Sequence, residues 1–372
     1  MSRGTRCLRG GDYAGATDAF EKALEAAPCE PQVLLALGRE RLRQGRIGEA
    51  EQLLALALAA RPDSAATAAA LARLVGLHQG RVEEGLRLVE QALGSGEEVG
   101  PLQVVRGELL LERGEYAEAR AAFETGLEDP ASAEAARLGL ARAFNQEGIA
   151  LSERGELERA VFALNRAVGL DPEWSGPLVN LGVVFGRMGK LGKAVESYKA
   201  ALERDAENPV ATFNLATAHR QLGEPELAAY LFEELFLRAP DYPHVRGALA
   251  HALGALREFD RAIAFFLEEL EIDPACASCW SGLGVAYLCV GNRDRGEECL
   301  RRALELTPTS LSTLLALATL YAVESQRLDA EALLRRAREV DPGRTEELLV
   351  NDPRFRVLRG LESPAPSPER PS

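Results

Sequence analysis

The residues of this chain best able to ligate a metal or attack a substrate are four histidines and six cysteines. His244 and His251 share a helix face at a spacing of seven, about 10 Å apart along the axis, too far to chelate one ion. His78 and His219 have no such neighbour. Cys7, Cys29, Cys289 and Cys299 are scattered, while Cys276-Ala-Ser-Cys279 forms a CxxC just after Asp273-Pro274. A CxxC is half of a zinc site or a redox pair. Cys289 stands ten residues beyond Cys279, which on one helix is about 15 Å, outside a shared tetrahedral shell. Read alone, the pair is two small apolar packing residues. No HExxH, GxSxG, GxxxxGK or GxGxxG occurs, so no nucleophile, base and oxyanion donors are assembled. The chain reads as a non-enzyme with no cofactor and no metal.

The elements around these residues must therefore explain the chain. Its 372 residues would suit two or three ordinary domains. Hydrophobic residues are 47% but aromatics only 6%, and alanine carries much of the difference, which suits tight helix–helix contact. A net charge of −14 argues against a nucleic-acid footprint and against an anionic membrane surface. The first ten residues hold three arginines and no apolar stretch. A secretory signal needs one, so the expectation is cytoplasmic. The uncharged stretches 274–292 and 307–323 approach spanning length but are broken by Pro, Ser or Gly. They read as buried helices, not membrane spans.

A period organises the whole. Prolines fall at 28, 62, 130, 172, 240, 274, 308 and 342, in steps of 34 or twice 34 with one exception of 42. Beside them run Gly11, Gly45, Gly80, Gly114, Gly155, Gly189, Gly223 and Gly291. Five residues after most of these glycines comes an alanine, such as Ala50, Ala119, Ala160, Ala194 and Ala228, and the ladder goes on at Ala262 and Ala330. Four further on stands a bulky residue, such as Phe20, Leu54, Phe123, Leu164, Tyr198, Phe232, Phe266, Leu300 or Leu334, often with another alanine three later. Bulky residue and alanine share one helix face. Glycine allows a sharp turn between two helices, and proline ends one unit and starts the next.

These positions closely resemble the tetratricopeptide repeat family, whose pattern is W-x2-L-G-x2-Y, A-x3-F, A, P over 34 residues. The fullest match carries Trp280, Leu283, Gly284, Tyr287, Leu300, Ala303 and Pro308, with Gly296 for the first alanine. The resemblance covers residues 1–344 in about ten units. It implies an all-α fold, an α-solenoid winding as a right-handed superhelix of helix-turn-helix repeats. Residues 65–99 carry one extra residue, and the unit 133–174 is eight longer. Those eight predict an extended first helix over 133–153, marking a seam between sub-arrays at 1–130 and 131–344. Residues 345–361 read as a capping helix with Leu348, Leu349, Phe355, Val357 and Leu358 facing inward, and 362–372 as a disordered tail.

In this family ligands bind the concave face built by each first helix. The resemblance places Asn145, Gln146, Asn180, Arg187, Asn214, Thr217, Arg220 and His251 on that face, with Arg142 and His244 beside them. Asn180 and Asn214 hold the same sixth position of successive units. An asparagine amide donates and accepts, so it can pair with any peptide backbone. The alternative is that both bond to neighbouring helices. His219 takes the place of Tyr287 and Tyr321 in later units and reads as core. Toward the C-terminus the face turns apolar, with Val285, Leu288, Leu315 and Val323. That groove is filled by the chain's own 345–361 segment or open to a partner. A lysine clamp for a terminal carboxylate is missing, since lysine occurs only at 22, 190, 193 and 199.

The function expected is a scaffold or adaptor binding an extended peptide segment of a protein partner. A runner-up, suggested by a likeness to the asparagine-laddered arrays of protein O-glycosyltransferases, is a substrate-recruiting accessory of a glycosyltransferase or protease on another chain. Either terminal edge leaves room for a homo-oligomer.

Overall fold

The computed structural model describes residues 6, 7, 10, 12–26, 30–94 and 99–362. Gly11, Pro28, Cys29 and the expected tail from 363 onward lie outside the described residues. Among the described residues every regular element is helical. No described helix is long and apolar enough to cross a membrane.

The chain forms two compact units, Met1–Gly189 and Lys190–Ser372. The first contains α1 (Tyr13–Ala26), α2 (Pro31–Arg43), α3 (Ile47–Ala60), α4 (Ala65–Arg73), α5 (Val82–Leu93), α6 (Val99–Glu112), α7 (Tyr116–Gly126), α8 (Ala133–Glu153), α9 (Leu157–Leu170) and α10 (Gly176–Arg187). The second contains α11 (Leu191–Arg204), α12 (Pro209–Gln221), α13 (Pro225–Arg238), α14 (Val245–Ala255), α15 (Phe259–Ile272), α16 (Ala277–Cys289), α17 (Arg293–Leu306), α18 (Leu311–Val323), α19 (Arg327–Val340) and α20 (Pro342–Asn351). A 3-10 segment, Pro353–Glu362, follows α20. Within each unit a helix packs on its sequence neighbours and, more lightly, on the next helix but one. First helices thereby stack on first helices, as α12 on α14 and α14 on α16. This is the nearest-neighbour packing of an α-solenoid.

One contact recurs inside the hairpins. A small residue of the first helix faces a bulky residue sixteen positions later on the second. Gly148 lies so close to Leu164 that a Cβ would meet its Cγ at 2.6 Å, and Gly284 stands in the same relation to Leu300 at 2.8 Å. Ala216 with Phe232 and Ala250 with Phe266 are the alanine versions, all at most 1% exposed. The periodic alanines of the second helices, Ala50, Ala160, Ala228, Ala262 and Ala330 among them, are fully buried.

The punctuation is equally local. Asp171 (φ −135°, ψ 84°) and Asp273 (φ −123°, ψ 85°) are extended before their prolines, since a proline bars the residue ahead of it from the helical region. The extra residue of the 65–99 unit is absorbed by a π-helical turn, Leu74–His78, continuing α4. The long helix α8 runs unbroken for 21 residues inside the first unit.

The hairpin turn needs a left-handed residue. Gly45, Gly155, Gly223 and Gly291 supply it with φ between 75° and 85°. Two repeats lack the glycine, and Arg257 (φ 65°) and Ser325 (φ 62°) take the same backbone conformation. The turn therefore follows from the packing of the two helices, and the side chain tolerates it. A left-handed non-glycine residue costs about 1–2 kcal/mol.

At the C-terminus, Asp352-Pro353 breaks the expected capping helix into α20 and the 3-10 segment. Leu349, Phe355 and Leu358 are buried in one cluster with Leu314, Leu315, Leu317 and Tyr321. Leu348 is partly buried. Val357, expected to face inward, is 41% exposed, because the change of pitch at Pro353 rotates it away from α18.

Two substitutions should move stability in opposite directions. Arg257→Gly, at an exposed side chain, is expected to raise the urea midpoint by roughly 0.5–1 kcal/mol equivalent, the strain relief exceeding glycine's entropy cost. Gly148→Ala is expected to lower it by about 1–3 kcal/mol through overpacking against Leu164. Equal or reversed shifts in denaturant unfolding would contradict the packing described.

Candidate functional site

In the first unit, the polar residues of the expected ligand face are turned toward one another. Asn180 on α10 donates Nδ2–H to Asn145 Oδ1 on α8 at 2.9 Å. Asn145 is only 7% exposed. Arg187 donates to the Ser152 carbonyl and, at 2.8 Å, to Ser152 Oγ. Asn145, Asn180 and Arg187 thus hold α10 on α8. Gln146 and Arg142 are exposed. A cavity of about 370 Å³ opens between α7, α8 and α9, beside Arg120, Phe144 and Glu147. Arg120 stands 3.4 Å from Glu147, while Arg120 Nε and Glu147 Oε2 are buried without a hydrogen bond among the described residues, and Arg120 and Arg166 flank the Phe144 ring at 5.0 and 5.1 Å.

The second unit differs. A cavity of about 670 Å³ lies along its first helices, α12, α14, α16 and α18. Its apolar floor is Phe266, Val285, Ala286 and Leu288, and Arg354 and Phe355 of the 3-10 segment form one wall. The terminal segment therefore buries Leu315 completely yet leaves Val285 and Leu288 lining open space. Val323 does not join them; it stands 58% exposed near the end of α18.

Arg220 sits on the rim of this cleft. Among the described residues no carboxylate or carbonyl pairs with its guanidinium, and the side chain is exposed. Arg354, by contrast, is held by Asp352, whose carboxyl it keeps below the usual range. His251 forms the floor edge-on to Phe266, with ring centroids 4.8 Å apart. Burial, aided by the Arg220 guanidinium, pushes its imidazole down to about 4. It is thus a neutral, half-buried aromatic surface at neutral pH. Thr217 Oγ1 donates to the Phe213 carbonyl within its own helix, and Asn214 is half-buried on α12.

Several lining residues are not among those expected on the ligand face: Gly254, Phe259, Gly282, Ser312, Ala316 and Phe355. A signal for some of them was present. The sixth position, asparagine at 180 and 214, becomes Ala248, Gly282 and Ala316. At Gly282 a Cβ would meet Phe266 Cζ at 2.3 Å and His251 Cε1 at 2.8 Å. Shrinking this position brings the next helix against the His251–Phe266 pair and leaves room above it.

His219 and His244 each stand beside a carboxylate. His219 is buried, its Nδ1 2.5 Å from Glu224 Oε2. His244 lies beside the buried Glu269, which also accepts the Gly247 N–H at 3.3 Å. Among the described residues no cluster of three potential metal ligands occurs. The CxxC does differ from the packing pair expected: Cys276 and Cys279 are joined as a disulfide, with Cα atoms 5.3 Å apart.

Profiles described as tetratricopeptide repeat match residues 8–74 and 187–252, and a second of the same description matches 104–173. The middle tetratricopeptide-like domain of cilia and flagella-associated protein 70 matches residues 247–349. None of the curated protein sequences matches. Among solved structures, the APC/C hetero-tetramer Cut9-Hcn1 is similar at TM-score 0.52 and 13% identity, over 97% of this chain and 95% of that one. A tetratricopeptide repeat protein from Parabacteroides merdae is similar at TM-score 0.51 and 14% identity, over 68% of this chain and 98% of that one. At such identities the likeness is one of fold.

The lowered imidazole of His251 has a consequence for stability. Unfolded, it takes a proton below about pH 6.5; folded, it resists until about pH 4. Stability is therefore fully present above pH 6.5 and is lost as pH falls toward 4, by roughly 1–3 kcal/mol after allowance for partial solvent access. Urea unfolding at a series of pH values should show this slope in the wild type and a flatter one in His251→Gln; parallel curves would exclude His251 as its source.

Proposed function

The chain belongs to the tetratricopeptide repeat family, and from that premise we propose that it binds an extended segment of a partner protein in the cleft of its second unit. It is a protein-interaction scaffold by fold. The partner segment carries apolar side chains next to a carboxylate. In this reading the chain supplies no catalysis and recruits rather than transforms.

The observation that carries the reading is Arg220. A guanidinium that no described carboxylate pairs with stands over an apolar cleft in a chain of net charge −14. Its fork matches a carboxylate in two parallel hydrogen bonds. Below it, the neutral His251, Val285 and Leu288 offer an apolar surface, and a volume of about 670 Å³ falls within the range of specific pockets. Asn214, six residues before Arg220 on α12 and outside the cleft lining, carries an amide that can extend the site to a peptide backbone. The first unit's Asn145, Asn180 and Arg187 enter this reading as braces, since their polar groups already bond to each other's helices.

Selection of displayed random peptides on the full chain tests the proposal, followed by fluorescence polarisation of the best binder. Selected sequences are expected to place Asp, Glu or a free C-terminus beside apolar residues. Arg220→Glu and Val285→Glu should each weaken binding roughly tenfold or more, while the exposed Gln146→Ala leaves it unchanged. Selected peptides without a carboxylate, or full affinity in Arg220→Glu, would remove the cleft as the site.

A further inference from the structure

The CxxC is the one sequence motif that the interaction reading leaves unused. Cys276 is the N-cap of α16, and its sulfur accepts the Cys279 backbone N–H at 3.2 Å. The loop ahead is pinned: Ala275 N–H donates to Asp273 Oδ1 at 3.0 Å, and Trp280 Nε1–H to the Pro274 carbonyl at 3.0 Å. Cys276 is half-buried, whereas Cys279 is 3% exposed. The pair is thus held with one sulfur reachable from solvent and the other beneath it.

The other described thiols differ in ways that set this pair apart. Cys299 is buried, and burial pushes its thiol up to about 11, away from the reactive thiolate. Cys289 is exposed but ends the same helix, about 20 Å from Cys276 at 1.5 Å per residue. Cys289 is thus out of reach of Cys276, and Cys7 belongs to the first unit.

We propose that Cys276 and Cys279 are a reversible dithiol–disulfide site that takes a low-molecular-weight disulfide as its oxidant, with Cys276 the attacking sulfur. The helix N-terminus and the Cys279 N–H both favour negative charge on Cys276. Its thiolate attacks one sulfur of RS–SR, forming a Cys276–SR bond and expelling RS⁻. Cys279 gives up its proton and attacks the Cys276 sulfur, expelling the second RS⁻. The protein pair loses two electrons, and the oxidant becomes two RSH with the two thiol protons. Excess RSH runs the exchange backwards.

The site is also mechanically connected. A Cβ on Gly247 of α14 would meet Cys279 Sγ at 3.0 Å, so the buried sulfur lies against the preceding first helix. Both α14 and α16 line the cleft. Closing the disulfide fixes the first turn of α16 where it meets α14.

The test uses the full chain equilibrated in glutathione buffers from fully reduced to fully oxidised. Samples are acid-quenched, alkylated in denaturant, and mapped by peptide mass spectrometry. The wild type is expected to lose two alkylatable thiols on oxidation, both from the peptide holding Cys276 and Cys279, and to regain them on return to reduced glutathione. Cys279→Ser should accumulate a glutathione mixed disulfide on Cys276, and Cys276→Ser far less on Cys279. A thiol count that does not change with the glutathione ratio would overturn the site. Loss mapped to Cys289 or Cys299 would do the same. Equal glutathione uptake by the two single variants would overturn Cys276 as the attacking sulfur.

Discussion

One recurring contact holds the hairpins of this chain, a residue with little or no side chain on the first helix pressed against a bulky residue sixteen positions later. At Gly148–Leu164 and Gly284–Leu300 the approach leaves no space for a methyl group. Contact that close fixes the rotation of both helices about their axes, because only one side of the first helix is bare enough to admit the neighbour. The remaining faces are then assigned. The alanines of the second helix turn toward the adjoining repeat, and the outer positions are left to charged residues. The turn between the helices inherits its shape from the same constraint. Arg257 and Ser325 adopt the left-handed conformation that glycine adopts elsewhere, so the packing dictates the turn.

Much of this was legible in the sequence because it is periodic and local. The spacing of prolines, glycines and alanines announces helical hairpins; the extra residue of 65–99 was visible too, but not the π-helical turn, Leu74–His78, that takes it up. What was not legible depends on a partner distant in sequence or on a change of helical pitch. Asn145 and Asn180 are each suited to a peptide backbone, and nothing local says that they face each other across thirty-five residues. Val357 sits on the expected inward stripe of an α-helix, but Pro353 converts the segment to 3-10 geometry and moves the stripe. Val323 fails for a related reason, lying where α18 is about to end and its neighbour no longer covers it.

The candidate site lies between these cases. Arg220, His251, Val285 and Leu288 occupy positions that the family resemblance assigns to a ligand face, and the second unit brings them to one cleft. What that resemblance does not convey is that the space exists because the sixth position shrinks to Ala248, Gly282 and Ala316. Physically, the cleft is an absence of side-chain volume bounded by a neutral aromatic pair, His251 and Phe266. Burial keeps that imidazole neutral at neutral pH, so this part of the floor carries no charge.

The 3-10 segment after α20 plays two parts with one residue. Phe355 is 4% exposed in the cluster that shields α18, and it is also a wall of the cleft. Whatever loosens the end of the array also lengthens the trough, so terminal fraying and the reach of the binding surface are a single coordinate. A relative that ended with a shorter or differently packed cap would present a groove of another length on unchanged repeats. The final turns of the chain would then act as the ruler against which a partner is measured.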